Sequence, residues 1–186
     1  MRCSVIYPNL TTLEIYLSGW RTSLRSLVHS FPNLRHLILE DGDPDPSEKE
    51  SLRQKNHLAA SGRSYPRLDY LCGTADTVYA LGLTCPIRCL RFKTSEDTAL
   101  LIDDSCLATM LRAADPTILE FGFIYSRDVS FSEVAFRACF TVPMPKLSHL
   151  RIHILFDEVP DIIYSETLLV RYFLSSSTRR IDKFSA

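Results

Sequence analysis

The sequence predicts one α/β domain, a curved solenoid of about six irregular strand-helix repeats with a parallel sheet on its concave face. Two observations predict it. A short apolar motif, L-x-x-L-x-L, recurs six times along the chain, and stretches between the motifs carry apolar residues at helical spacing. Strand and crossover helix, repeated in this way, bury their apolar faces by stacking side by side. We expect residues 1–175 to form this domain and residues 176–186 to form a polar C-terminal tail.

Composition is that of an ordinary globular protein. The chain has 186 residues, of which 46% are hydrophobic and 23% are charged, so one domain is expected. The net charge of -1 provides no basic footprint for nucleic acid. Every apolar run is shorter than the roughly 18 residues of a membrane span, and no signal-peptide run opens the chain. We therefore expect no nucleic-acid or membrane partner and an intracellular location, cytoplasmic or nuclear, with reduced cysteines.

Six segments carry the motif, and each begins with a residue that is followed by proline. In chain order they are Tyr7–Ile15, Phe31–Leu39, Tyr65–Gly73, Cys85–Phe92, Asp115–Phe123 and Met144–Ile152. The middle apolar residue of each segment is its predicted anchor in the core: Leu13, Leu37, Leu71, Leu90, Phe121 and Leu150. The last apolar pair alternates with a variable residue, and proline fits only the start of a strand. Each segment is therefore predicted to form a short strand.

The stretches between the strands carry apolar residues at intervals of three and four, which is the spacing of an amphipathic helix. Three of them are predicted as helices: Arg21–His29, Glu48–Ala60 and Leu100–Ala114. Ser23 and Ser47 are the expected N-caps of the first two helices. Successive anchors lie 24, 34, 19, 31 and 29 residues apart, and the longest interval holds an acidic insertion.

The segments YPNLTTLEI, FPNLRHLIL and MPKLSHLRI resemble the irregular repeats of fungal F-box proteins, within the leucine-rich-repeat family. The resemblance covers Tyr7 to Leu155. It implies an array that holds the substrate of a ubiquitin ligase, while a separate N-terminal F-box binds the ligase adaptor. Because only Met1 to Ile6 precede the first repeat, we expect the F-box to be absent here. Ubiquitin ligase subunits are then expected as partners only if an F-box is present upstream.

Two cysteines lie in patterns that resemble those of catalytic cysteines. Cys85 and Arg91 have the C-x5-R spacing of cysteine phosphatases, but the residues between them include no glycine, and Pro86 lacks an amide donor. Cys72 is predicted to lie beside Arg91 on a neighbouring strand, where a cation can lower the pKa of a thiol. No histidine or acid is placed to complete a nucleophile. We therefore predict that the chain is not an enzyme.

Two apparent metal motifs fail on geometric grounds. His149 and His153 lie on a predicted strand, where four residues span about 13 Å, too far for one metal ion. Asp41, Asp43 and Asp45 imitate the start of an EF-hand loop, but the glycine and the glutamate that such a loop needs are missing. We predict no metal and no cofactor.

The residues that flank the anchors are predicted to line the concave face, where repeat arrays bind their partners. The early repeats place acidic and tyrosine side chains there, and the later repeats place basic ones. The predicted protein-binding residues are Glu14, Tyr16, His36, Glu40, Tyr70, Arg91, Lys93, Arg151 and His153. Tyrosine and arginine are frequent hot spots, and separated charges orient a partner.

These features together predict a non-enzymatic protein-protein interaction module. Its expected role is substrate recognition in an F-box-type ubiquitin ligase component or a fragment of one, with an unidentified protein substrate as the partner. The alternative is a structural remnant without a dedicated partner.

Overall fold

The computed structural model describes residues 5–16, 23–40, 45, 47–60, 64–93, 104–125 and 142–156. Strands and helices alternate along most of this part of the chain. The strands are β1 (Thr12–Tyr16), β2 (His36–Glu40), β3 (Leu68–Gly73), β4 (Ile87–Phe92), β5 (Ile118–Tyr125) and β6 (His149–Phe156). The helices are α1 (Leu24–Ser30), α2 (Lys49–Ala60), α3 (Ala75–Leu81) and α4 (Asp104–Ala114). The predicted boundary at residue 175 and the tail lie outside the described residues.

The described strands form one parallel sheet in the order β1-β2-β3-β4-β5-β6. Each described helix packs on the next, α1 on α2, α2 on α3 and α3 on α4. Because crossovers between neighbouring parallel strands share one handedness, these helices cover one face of the sheet. The opposite face carries no described helix, and we call it the open face. The prediction of an α/β chain with successive parallel strands is confirmed.

Five of the six predicted anchors belong to one row, and the first four of them lie side by side. Leu13 pairs with Leu37, Leu37 with Leu71, and Leu71 with Leu90. Leu37, Leu71 and Leu90 are fully buried between the sheet and the helices. Leu13, in the edge strand, is only half-buried.

The fifth anchor was predicted two residues too late. Leu119, not Phe121, pairs with Leu90 on one side and with Leu150 on the other. Phe121 lies two residues after the anchor, on the same face of the strand, where its ring packs on Phe92 with a centroid distance of 5.2 Å. Both residues are buried, so the core remains apolar. On the open face, however, the residues of β5 lie beside different residues of β4 and β6 from those predicted.

The cause of this shift is the end of α4. Asp115 follows the last helical residue, Ala114, and adopts the left-handed region with a φ of 41°, which ends the helix and turns the chain directly into β5. In four other repeats the proline precedes the anchor by five residues, whereas Pro116 precedes Leu119 by only three. Pro116 is itself buried.

The helix ends differ from the predicted caps. Ser23 occupies the N-cap position of α1 but makes no side-chain cap bond. α2 begins at Lys49, so Glu48 rather than Ser47 directly precedes it, and the hydroxyl of Ser47 donates to Asp45 Oδ1 at 2.7 Å. α3 is not among the three helices predicted by range, and Thr74 caps it by accepting a hydrogen bond from the Thr77 N–H.

Asn56, in the middle of α2, connects three helices. Its buried Oδ1 accepts a hydrogen bond from the Leu24 N–H in the first turn of α1 at 3.0 Å, and its Nδ2 donates to the Ala80 carbonyl in α3 at 2.9 Å. Because Ser23 makes no cap bond, Asn56 satisfies an amide that α1 leaves open at its own start. A single side chain thereby fixes the spacing of the helix layer.

Replacing Asn56 by alanine would leave two buried backbone groups without partners. We expect Asn56→Ala to lower the free energy of unfolding by about 2–4 kcal/mol in urea denaturation. Lys55→Ala, at an exposed position of the same helix, is the matched control and should change it by less than about 0.5 kcal/mol. A loss below about 1 kcal/mol for Asn56→Ala would contradict this role.

Candidate functional site

The register of the strands arranges the side chains of the open face in rows that cross the sheet. The first row contains Thr12, His36, Tyr70, Cys89, Ile118 and His149. The middle row contains Glu14, Ile38, Cys72, Arg91, Glu120 and Arg151. In a third row, Tyr16 lies beside Glu40 at one edge, and Gly122 lies beside His153 at the other. Each row therefore combines contributions from distant parts of the chain.

In the first row, polar and aromatic contacts run from β1 to β3. Thr12 Oγ1 and His36 Nδ1 are hydrogen-bonded at 3.1 Å, and the His36 ring meets the half-buried Tyr70 ring edge to face, with centroids 6.4 Å apart. Burial raises the pKa of Tyr70 to about 12, and its hydrogen bond with Cys72 adds to this effect. Tyr70 also hydrogen-bonds with Arg91, which connects the first row to the middle row.

In the middle row, a carboxylate lies between two guanidinium groups. Glu120 pairs in the sheet with Arg91 on one side and with Arg151 on the other. Arg151 Nη1 donates to Glu120 Oε1 at 2.6 Å, and Glu120 is only 7% exposed. A carboxylate removed from water in this way needs a charged partner that donates hydrogen bonds. Glu120 therefore holds Arg151 in place on the face.

Glu120 was absent from the predicted site because the fifth repeat was aligned on Phe121, which moved Glu120 into the first row. The sequence contained a signal for the correct alignment. Leu119 and Phe121, separated by one residue, fit the L-x-L end of the motif, with Pro116 three residues before Leu119. In the other full-length segments the proline precedes the anchor by five residues. That spacing favours Phe121 over Leu119 as the anchor of the fifth segment.

Acidic and basic side chains form ion pairs on the open face, including one across the predicted boundary between the acidic and basic halves. Glu40, from the acidic half, forms an ion pair with Lys93 from the basic half, reaching across β3. Glu120 likewise partners Arg151. Opposite charges on one face of a sheet attract, so they pair both between neighbouring strands, as Glu120 and Arg151 do, and across one intervening strand, as Glu40 and Lys93 do. Glu14 remains exposed at the β1 edge and makes no ion pair with a described residue.

The other predicted binding residues are spread across the open face. His36 and Arg91 are exposed and Tyr70 is half-buried between them, so the structure brings these three together. Tyr16 is 69% exposed at the β1 edge. The backbone of His153 lies in β6 beside Gly122, but its side chain lies outside the described residues.

The described thiols on and below the open face are held in their protonated form. Burial raises the pKa of Cys72, and the hydrogen bond from Tyr70 and the nearby Lys93 and Arg91 do not offset it. Burial also raises the pKa of Cys85 to about 11. Cys85 lies in the core and Arg91 is exposed on the open face, so the structure separates the two residues of the C-x5-R motif.

The apparent metal ligands have other partners. His149 Nδ1 is hydrogen-bonded to the Ser148 hydroxyl at 2.8 Å, and Asp45 Oδ1 accepts the Ser47 N–H at 2.9 Å. Asp41 and Asp43 lie outside the described residues. Within the described ranges, no three His, Cys, Asp or Glu side chains are grouped as metal ligands would be. None of the helices described above has the length and apolar character needed to cross a membrane.

Comparisons of the chain with protein-family models, with curated proteins and with solved structures found no match. The function is therefore argued from the open face itself.

The raised thiol pKa values predict slow alkylation. At pH 8 a thiol with a pKa near 11 carries about 100-fold less thiolate than one with a pKa near 9, so Cys85 should react with iodoacetamide at least 100-fold more slowly in the folded chain than in urea. Cys72 should also be protected. Peptide mass spectrometry measures both residues in one sample, and rapid labelling of Cys85 in the folded chain would contradict its placement in the core.

Proposed function

We propose that the chain is a leucine-rich-repeat-like solenoid that binds a protein segment on its open, concave face and catalyses no reaction. The observation that carries the proposal is the connected set of polar side chains on that face. Tyr70, Arg91, Glu120 and Arg151 come from four successive strands, and contacts link Tyr70 to Arg91 and Glu120 to Arg151. No described helix covers them. In-register parallel strands with anchors in one row support the solenoid.

The chemistry of this set favours an acidic, extended partner. Glu120 neutralises one of the two arginines that flank it, which leaves the pair with one net positive charge. A guanidinium has five N–H donors, and Arg151 directs one of them at Glu120. The remaining donors suit carboxylates of a partner. Because Glu120 and Tyr70 already orient the two arginines, less side-chain entropy is lost on binding.

For the biological role, we propose substrate recognition of the kind that F-box-type ubiquitin ligase components perform. The resemblance of YPNLTTLEI, FPNLRHLIL and MPKLSHLRI to the repeats of that class supports it. The alternative is a structural remnant with no dedicated partner. The gene sequence upstream of the Met1 codon distinguishes the two: an in-frame F-box supports the ligase role, and its absence supports the alternative.

Photo-crosslinking in cells that naturally express the chain tests the binding face. Ile38 is the position for the crosslinker because it is half-buried in β2 and lies in the same row as Arg91 and Glu120. The matched control is Lys55, exposed on α2 on the helix side. We expect a defined protein adduct from position 38 and none from position 55.

A second substitution tests whether the connected set of polar side chains contributes to binding of the partner. Arg91→Gln, which removes the charge without placing a second acid beside Glu120, should lower the adduct yield about tenfold, the equivalent of one charge-assisted contact. Arg112→Gln on the exposed side of α4 is the control and should leave the yield unchanged. No adduct from position 38, or a yield unaffected by Arg91→Gln, would favour the structural remnant.

A further inference from the structure

Among the described residues, no strand covers either edge of the sheet, the outer side of β1 or that of β6. The inner anchors, such as Leu71, are fully buried, whereas Leu13 in β1 and Leu150 in β6 are half-buried. An unpaired strand edge beside a partly exposed apolar row is a surface that a further strand can cover.

The two edge segments align position by position and share their proline, both leucines and the final isoleucine. Tyr7–Ile15 and Met144–Ile152 have equal length and align without insertion. The matched pairs are Pro8 with Pro145, Leu10 with Leu147, Thr12 with His149, Leu13 with Leu150, Glu14 with Arg151 and Ile15 with Ile152. Both charged members of this set are exposed, and they have opposite signs.

The junction between the first two repeats shows which contacts a strand would make on such an edge. Asn33 Nδ2 donates to the Pro8 carbonyl at 2.8 Å, and the N–H groups of Arg35 and His36 donate to the Thr11 carbonyl at 2.8 and 2.9 Å. Asn9 occupies the position in the first repeat that Asn33 occupies in the second. It is exposed, and its side chain makes no hydrogen bond with any described residue.

We propose that β6 of one copy of this chain pairs in parallel with β1 of a second copy. In the register that the repeats follow within the chain, Leu13 continues the row of anchors from Leu150 of the neighbouring copy. Glu14 then lies beside Arg151 of that copy, and Asn9 donates to its Pro145 carbonyl as Asn33 does to Pro8. The interface is head-to-tail, so it builds a chain of copies or a ring rather than a closed dimer.

The charges argue against the symmetric alternative. Pairing β1 of one copy with β1 of another would run the strands antiparallel and bring the two Glu14 carboxylates close together. Like charges on facing strands are destabilising. The head-to-tail contact places opposite charges there instead. It shares Arg151 with the proposed binding face but requires no other protein, so either proposal can fail without the other.

Charge exchange between the edges tests the proposal with the purified full chain. Sedimentation velocity of the wild type should show a mass that rises with concentration beyond that of a dimer. Glu14→Arg and Arg151→Glu should each weaken self-association about tenfold or more, because each places like charges at the joint. An equimolar mixture of the two variants should associate again, since each then meets the opposite charge on both of its edges.

Control variants distinguish effects on the contact between copies from effects on the fold. Glu48→Arg and Arg88→Glu change exposed charges away from both edges and should leave association unchanged. Asn9→Ala should weaken association about three- to tenfold, the share of one hydrogen bond, without lowering the melting temperature of the dilute chain. Asn33→Ala should lower that temperature, because it breaks a bond within the chain.

Four results would overturn the proposal. The wild type could remain monomeric at the highest concentration, or stop at a discrete dimer. The single variants could associate as the wild type does. The mixture of folded variants could fail to recover association. If Arg151→Glu unfolds because the new carboxylate faces Glu120, the test of the contact rests on Glu14→Arg and Asn9→Ala. Self-association of both of these variants at wild-type strength would then contradict the head-to-tail contact.

Discussion

The row of apolar anchors across the sheet is the constraint on which the rest of the structure depends. Leu37, Leu71, Leu90 and Leu119 lie side by side and are fully buried. Because side chains alternate between the two faces of a strand, fixing the anchor of each strand also fixes which residues reach the open face and in which row. A shift of two residues in the pairing of one strand leaves each side chain on the same face of the sheet but moves it to another row. In β5 that difference decides whether Glu120 lies between the arginines.

The helix layer supports this sheet with polar bonds as well as apolar packing. Two of the four described helices, α1 and α3, have only seven residues each, a length at which helices are marginal on their own. Asn56 links both of them to α2, and Lys49 of α2 pairs with Asp76 of α3 at 2.7 Å. These links hold the helices at the spacing of the strands. The open face is therefore free to carry charged residues that contribute little to the core.

The strands, their parallel order and most of the anchor row were predictable because they follow from local apolar patterns. The fifth anchor was not, because the left-handed Asp115 shortens the turn before β5, and a short turn leaves little trace in a motif. Asn56 bonds residues 32 and 24 positions away, so only the packed helices reveal its role. The same holds for the ion pair of Glu40 with Lys93, which joins two strands that are not neighbours.

The anchor row can be observed directly through nuclear Overhauser effects between leucine methyl groups in a methyl-labelled, otherwise deuterated sample. Neighbouring parallel strands lie about 4.8 Å apart, so paired anchors should give strong cross-peaks. The structure predicts that the Leu90 methyl groups show cross-peaks to both Leu71 and Leu119, and that Leu119 also shows one to Leu150. Cross-peaks from Leu90 to Leu71 alone, with none to Leu119, would contradict the register and with it the placement of Glu120 between Arg91 and Arg151.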